Sequence, residues 1–360
     1  MRTKKIFTIT FVFILLVLIS LFLYHNHHKK NITYKKNTQI DVIIPQTGNL
    51  AFIGKQIKNG MLLALTETKD SLLTINFIDS KGNSKSGINA VNKALLDKPN
   101  FIIVNLTSVA MASKPILSNK SLNAIYLSTH PEILNDCNNC FRFFTSGKQE
   151  SKYISQEILN NSIHKLGLMY VNDSYGTGTA MFIKKLVKNN NIRLVDLSYP
   201  IKDFNFLSLV SKAKSEKIDG ILLIGYGFEY SLLFKTFNEL NFFPHIYSNF
   251  SFSNKEGKEN ILKYKGKITY SAPKYDMKNK TNNNMKNFIS SYKIKYGNIP
   301  DFNAAYGYDN IKIINDYVMQ NNHKNFKEFL SNYHYSGAMG KYIFLQDGDV
   351  KTEIEIIKIN

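Results

Sequence analysis

The sequence predicts an α/β protein made of two successive blocks of parallel sheet and helix. Three observations carry this expectation. Short apolar, strand-like runs alternate with amphipathic segments from residue 40 onward, and such alternation builds parallel sheets with right-handed crossovers. The rhythm restarts near residue 166 with runs of similar size. Pro45-Gln46-Thr47-Gly48 ends the first apolar run just ahead of an amphipathic stretch. A strand, a loop and a helix in that order bring backbone N–H groups to the carboxyl end of a sheet, where open α/β sheets bind small ligands.

The first block has strand-like runs at Ile40–Ile44, Leu73–Ile78, Phe101–Val104 and Ala124–Leu127. Helices are expected between them over Ile53–Thr66, Ser86–Leu96 and Ser108–Leu117. The first carries apolar residues at Ile53, Ile57, Met61, Ala64 and Leu65, near the 3.6-residue period. The second block has runs at Leu166–Val171, Arg193–Leu197, Gly220–Ile224 and Pro244–Ser248, with helices near Ala180–Asn189, Leu207–Ser215 and Tyr230–Leu240. Two similar blocks suggest two domains with a cleft between them. The final part is different: helices at Met285–Tyr296 and Ala304–Met319, a glycine-containing loop at 335–340, and an Asp347-Gly348 turn between the apolar runs Tyr342–Leu345 and Thr352–Ile357. Asp-Gly between two such runs reads as a β-hairpin.

With 360 residues and 44% hydrophobic content, each of two domains has enough material for its own core. The net charge is +19. The lysines are scattered, not gathered on one face among aromatics, so nucleic-acid binding is not expected. Arg2, Lys4 and Lys5 precede an apolar run from Ile6 to Tyr24. Its length reaches the lower limit for crossing a bilayer, and no small-residue cleavage pattern follows it. Residues 1–37 are therefore read as a membrane anchor or signal segment with a linker, and 6–24 as an uncleaved tether; basic residues flank both its ends, so charge does not set its orientation, and it is the family resemblance of the later residues that implies an extracytoplasmic body. Cys137 and Cys140 cannot supply four zinc ligands by themselves, and they sit in a polar loop; outside the cytoplasm a disulfide is the expected state.

Enzyme motifs are absent. The chain has no G-x-S-x-G elbow, H-E-x-x-H pair or phosphate-binding G-x-x-x-x-G-K. His164, His245 and His323 are isolated, and His25, His27 and His28 read as a solvated flank of the apolar run. No catalytic residue, metal site or cofactor is expected.

Four stretches carry a resemblance to the type I periplasmic binding proteins, in particular the branched-chain amino-acid branch. Pro45-Gln46-Thr47-Gly48 with Gly54 and Asn59-Gly60 resembles that family's opening P-x-T-G…G…NG. Leu127-Ser128-Thr129-His130-Pro131, followed by Phe141-Arg142, resembles its S-A-T-x-P…FR segment, with Leu127 in place of the first serine. Tyr175-Gly176-Thr177-Gly178 resembles its Y-G-x-G loop. Residues 335–349 resemble its closing F-x-G-x-x-G pattern, with Tyr335 in place of the first phenylalanine.

The resemblance implies two Rossmann-like lobes joined by three crossovers: 38–145 with 273–333, and 146–272 with 334–360. It implies a small-molecule ligand gripped by hinge closure and passed to an ABC permease. A sensor or regulatory module built on the same clamp is the alternative. Ser108, Ser128 and Thr129 match positions that hold a ligand carboxylate, Tyr175 and Tyr226 match aromatics of the second lobe, and Phe250 lies in the loop after the strand ending at Ser248. That loop, Ser248-Asn249-Phe250-Ser251, lacks the acid with which the family pairs a ligand ammonium. Glu229 is the candidate substitute. The ligand expected is amino-acid-like, an amide or a small carboxylate.

Overall fold

The computed structural model describes residue 20 and residues 37–68, 71–188, 190–275, 282–320 and 325–359. The apolar run 6–24 lies outside them apart from Ser20, as do His25, His27, His28 and His323. Among the described residues no helix is long and apolar enough to cross a membrane.

Two sheets organise residues 38–359. The first is built from β1 (Thr38–Ile44), β2 (Leu73–Asp79), β3 (Phe101–Asn105), β4 (Asn123–Leu127) and β5 (Cys140–Arg142), all parallel, in the order β2-β1-β3-β4-β5. Helices α1 (Ala51–Thr66), α2 (Ser84–Leu96) and α3 (Thr107–Leu117) connect its strands. Because helices cover both faces, β3 is buried along its whole length.

The second sheet contains β6 (Lys165–Tyr170), β7 (Arg193–Asp196), β8 (Gly220–Ile224), β9 (His245–Ser248), β10 (Ile268–Pro273) and β14 (Ile354–Ile359), in the order β14-β10-β9-β8-β6-β7. Around it run α4 (Gly147–Asn160), α5 (Ser174–Val187), α6 (Phe206–Ser215), α7 (Tyr230–Glu239) and α8 (Lys255–Ile261). Only β14 runs antiparallel, as an edge on β10.

Between β10 and β14 the chain supplies α9 (Asn283–Tyr296), α10 (Phe302–Met319) and α11 (Phe326–Ser331), then a small sheet of β11 (Tyr335–Gly337), β12 (Gly340–Phe344) and β13 (Val350–Lys351). Helix α10 lies directly on α1. Glycines make this possible: a Cβ on Gly60 would come within 1.9 Å of the Ala304 carbonyl, and one on Gly307 within 2.4 Å of the Ile57 carbonyl. The Asn59-Gly60 motif therefore serves helix packing.

One local expectation changes, and the structure adds elements that the sequence pattern did not mark. Helix α4 and strand β5, not read from the sequence, stand at 147–160 and 140–142. The hairpin across Asp347-Gly348 pairs β12 with the two-residue β13, while the final strand β14 leaves it to join the second sheet. The β11–β13 segment is held from the side of the first sheet. The buried Asp309 of α10 accepts from the N–H groups of Ala338 and Met339, both at 2.8 Å, and from the hydroxyls of Tyr335 and Tyr342 at 3.0 Å. Cys137 and Cys140 are joined as a disulfide where the chain turns into β5.

Candidate functional site

The strand orders create the site. In a doubly wound sheet, helices leave neighbouring strands on opposite faces where the order reverses, and a crevice opens at the carboxyl ends. In the first sheet that reversal falls between β1 and β3; in the second, between β6 and β8. A cavity of about 40 Å³, open on one side to solvent, is lined from both. Ile53, Asn105, Leu106, Thr107, Leu127 and Thr129 follow β1, β3 and β4. Tyr175, Tyr226, Phe250 and Ser251 follow β6, β8 and β9. Phe144, Phe302 and Asn303 close the side near the crossovers.

Helix α3 begins at this cavity in an unusual way. Leu106, its N-cap residue, has φ +70° and ψ 130°, a conformation that costs a non-glycine residue of order 1–3 kcal/mol. No side chain caps the helix. Its first N–H groups open next to the lining residues Leu106 and Thr107, an arrangement suited to an anion. Thr107 supplies a hydroxyl: its Oγ1 accepts from Ser128 Oγ at 3.2 Å and from the Thr129 N–H at 3.3 Å. Its own proton is then free to donate, to a ligand or to Thr129 Oγ1 at 3.4 Å.

Arg142 fixes the β4 end of this arrangement. Its side chain is fully buried; Nη1 donates to the Ser128 carbonyl at 2.7 Å and Nη2 to the His130 carbonyl at 3.1 Å, bracketing Thr129.

From the second sheet, Asp173 caps α5 by accepting from the N–H groups of Tyr175 and Gly176, and it accepts the Tyr226 hydroxyl at 2.6 Å. Burial raises its carboxyl above the ordinary value. The Tyr226 hydroxyl also meets the Ser108 side chain, so it touches both sheets' connections. Aromatic rings continue across the cleft: Tyr226 on Tyr175 at 5.2 Å, Tyr175 on Phe250 at 5.9 Å, Phe250 on Phe144 at 5.8 Å and on Phe302 at 5.7 Å. Nearby, α5 presents Gly178 to His130, where a Cβ would lie 2.7 Å from the imidazole Cδ2.

Thr129, Tyr175, Tyr226 and Phe250 thus line the cavity together. Ser108 and Ser128 are buried beside it but are not among its lining residues. Ser128 is turned toward Thr107, because neighbouring residues at a strand end point to opposite sides. Glu229 is not a lining residue either. It sits behind Gly225, its Oε1 accepting the Tyr226 N–H at 2.8 Å and the Tyr199 hydroxyl at 3.0 Å. The Pro45–Gly48 loop is tied back to β2, with Asp79 accepting the Thr47 hydroxyl at 2.6 Å and the Gln46 N–H at 2.8 Å. Only Ile53 reaches the cavity from that region.

Asn105, Thr107, Phe144, Phe302 and Asn303 were not read from the sequence. For Asn105 a signal existed: a polar residue directly after the apolar run Phe101–Val104. Its Oδ1 is buried with no protein partner.

Two facing doubly wound sheets with a lined cavity at both reversal points define a ligand-binding clamp. A profile of the periplasmic binding protein family matches residues 38–360, so the chain belongs to that family. Its members are binding proteins, not enzymes, and the family is an extracytoplasmic one. A relative from Rhizobium johnstonii named Leu/Ile/Val-binding protein BraC3 is 30% identical over 213 residues; the match spans 56% of this chain and 58% of that protein's length. A leucine-binding protein of Thermotoga maritima superposes with TM-score 0.79 at 20% identity, over 89% of this chain and 94% of the other. A solute-binding protein of an ABC transporter from R. palustris, solved with benzoate, gives TM-score 0.76 at 14% identity, over 88% and 92%. These two likenesses show the fold.

Proposed function

We propose that the chain is an extracytoplasmic solute-binding protein that closes on a small carboxylate with an apolar body and delivers it to an ABC-type importer. One observation carries the reading: the uncapped start of α3, with the Thr107 hydroxyl, opens into a cavity whose other side is apolar and aromatic. A desolvated carboxylate needs several short donors, and a helix start supplies them. Leu127, Phe144, Phe250 and Phe302 suit a branched or aromatic body, in keeping with the ligands for which the relatives are named.

No carboxylate is among the residues lining the cavity. An α-ammonium would find only neutral acceptors there, such as Asn105 Oδ1, and burying it so is costly. The ligand is therefore a carboxylate lacking an α-ammonium. Closure follows a hinge between a lobe of 38–145 with 273–333 and a lobe of 146–272 with 334–360, the strap 335–350 serving as the third crossover. Residues 6–24 tether the body to the membrane; resistance of the full-length chain to alkaline extraction from membranes tests this.

Calorimetry with 4-methylpentanoate, its amide and leucine tests the ligand reading. The acid is expected to bind, the amide more weakly because it lacks the charge, and leucine more weakly because its ammonium is unpaired. Leucine binding more tightly than the acid overturns it.

A further inference from the structure

Behind the ligand cavity lies a second, smaller one. Helix α4 lines it with Glu150 and Ser151, α5 with Thr179, and the end of β9 with Ser248 and Asn249. Glu150 is 2% exposed. Its Oε1 accepts the Phe250 N–H at 3.3 Å and the Ser271 hydroxyl at 3.2 Å. Its Oε2 is buried with no protein partner. Leaving such an oxygen unsatisfied is costly, and more so when it is charged.

The partition between the two cavities is thin. Tyr175 and Phe250 line the larger, Asn249 the smaller, and the Tyr175 hydroxyl donates to Asn249 Oδ1 at 2.9 Å. A path between the two spaces requires the Tyr175 ring to move, which breaks this hydrogen bond and its packing on Tyr226 and Phe250.

We propose that the smaller cavity is a second subsite of the cleft, which takes the protonated amine at the far end of a ligand whose carboxylate sits on α3, with Glu150 as its counter-charge. This rests on the carboxylate reading above and extends it to ω-amino acids. An α-ammonium stays beside the carboxylate, on the wrong side of Tyr175. A terminal one, carried by a flexible apolar chain past Phe250, reaches Glu150.

The ionisation balances. Burial pushes the Glu150 carboxyl up to about 8, so it is protonated near neutral pH when the cleft is empty. The titratable neighbours, Tyr175 and Tyr306, are both raised by burial and stay neutral. Pairing with an ammonium ionises Glu150, and its proton passes to solvent.

The test is calorimetry near neutral pH, in two buffers of different ionisation enthalpy. The probes are 4-aminobutanoate, 5-aminopentanoate and 6-aminohexanoate, each beside the acid without the amine. At the best chain length the amine is expected to bind ~10-fold or more tightly than its plain acid, with release of about one proton. In Glu150→Gln, which keeps an oxygen for the Phe250 N–H, that ratio is expected to collapse toward one and the proton release to vanish. Plain acids that bind while no amine binds more tightly overturn the subsite and leave the carboxylate reading standing. If neither series binds, both fall. An amine advantage that survives in Glu150→Gln without proton release also overturns the assignment to Glu150. Proton release is read on the unmodified protein, so the test does not depend on the variant folding.

Discussion

Arg142 Nε donates to Asp349 Oδ1 at 2.7 Å. The pair links the loop that carries Thr129 to the strap that returns the chain to the second sheet. The guanidinium is fully buried and Asp349 nearly so. Breaking a buried pair by removing one partner typically costs ~3–5 kcal/mol, because the remaining charge is uncompensated. Arg142→Met is expected to lower the thermal midpoint accordingly and to weaken ligand binding, since the carbonyls of Ser128 and His130 lose their donors. Arg142→Met with Asp349→Leu is expected to recover part of the stability and none of the affinity. Thermal melts beside calorimetry separate the two effects.

Thr107 and Thr129 place hydroxyls at the α3 start. A hydrogen bond to a charged group is worth ~1.5–3 kcal/mol. Thr107→Val is expected to reduce affinity for a carboxylate ligand by ~10-fold or more. It also removes the acceptor for Ser128 Oγ and the Thr129 N–H, so Thr129→Val serves as the comparison variant. Affinity unchanged in both variants, measured by calorimetry, would contradict the placement of the carboxylate.

Glu150 sets a pH dependence of stability. Its carboxyl is raised from 4.5 to about 8 by burial. A group raised in the folded state contributes stability that is fully present below its unfolded value and is lost as pH rises through the folded value. The thermal midpoint of the ligand-free protein is therefore expected to fall between about pH 4.5 and pH 8. Glu150→Gln is expected to flatten that slope and to be the more stable protein at the alkaline end. Parallel slopes in melts across that range would remove Glu150 as the cause.

Gly178 faces His130 across the cleft. A side chain there meets the imidazole at 2.7 Å, closer than packed atoms tolerate. Gly178→Val is expected to hold the lobes apart, giving a larger radius of gyration in solution scattering and weaker ligand binding. A closed profile at saturating ligand would show that the imidazole simply moves away.

Much of the fold was legible because parallel sheets write themselves as short apolar runs with amphipathic segments between. Helix α4 escaped this reading. Its sequence, GKQESKYISQEILN, carries mostly polar residues and buries Glu150, Ser151 and Ser155 along with Ile154 and Ile158. Thr129, Tyr175 and Tyr226 came from the family resemblance and Phe250 from the loop that departs from it; the structure has all four lining one cavity, past the ends of strands that the apolar runs mark. Phe302 and Asn303 were not legible, since they reach the cavity from a helix that enters the site by lying on α1. Of the adjacent pair Ser128 and Thr129, Thr129 lines the cavity, while Ser128 stands one layer back and donates to the lining residue Thr107.

The most direct measurement is a crystal structure of the protein with 4-methylpentanoate. The account predicts the carboxylate on the first turn of α3, within hydrogen-bond distance of the Thr107 hydroxyl, and the branched end among Leu127, Phe144 and Phe250. A ligand bound with its carboxylate away from that turn, or outside the space between the two sheets, would contradict it.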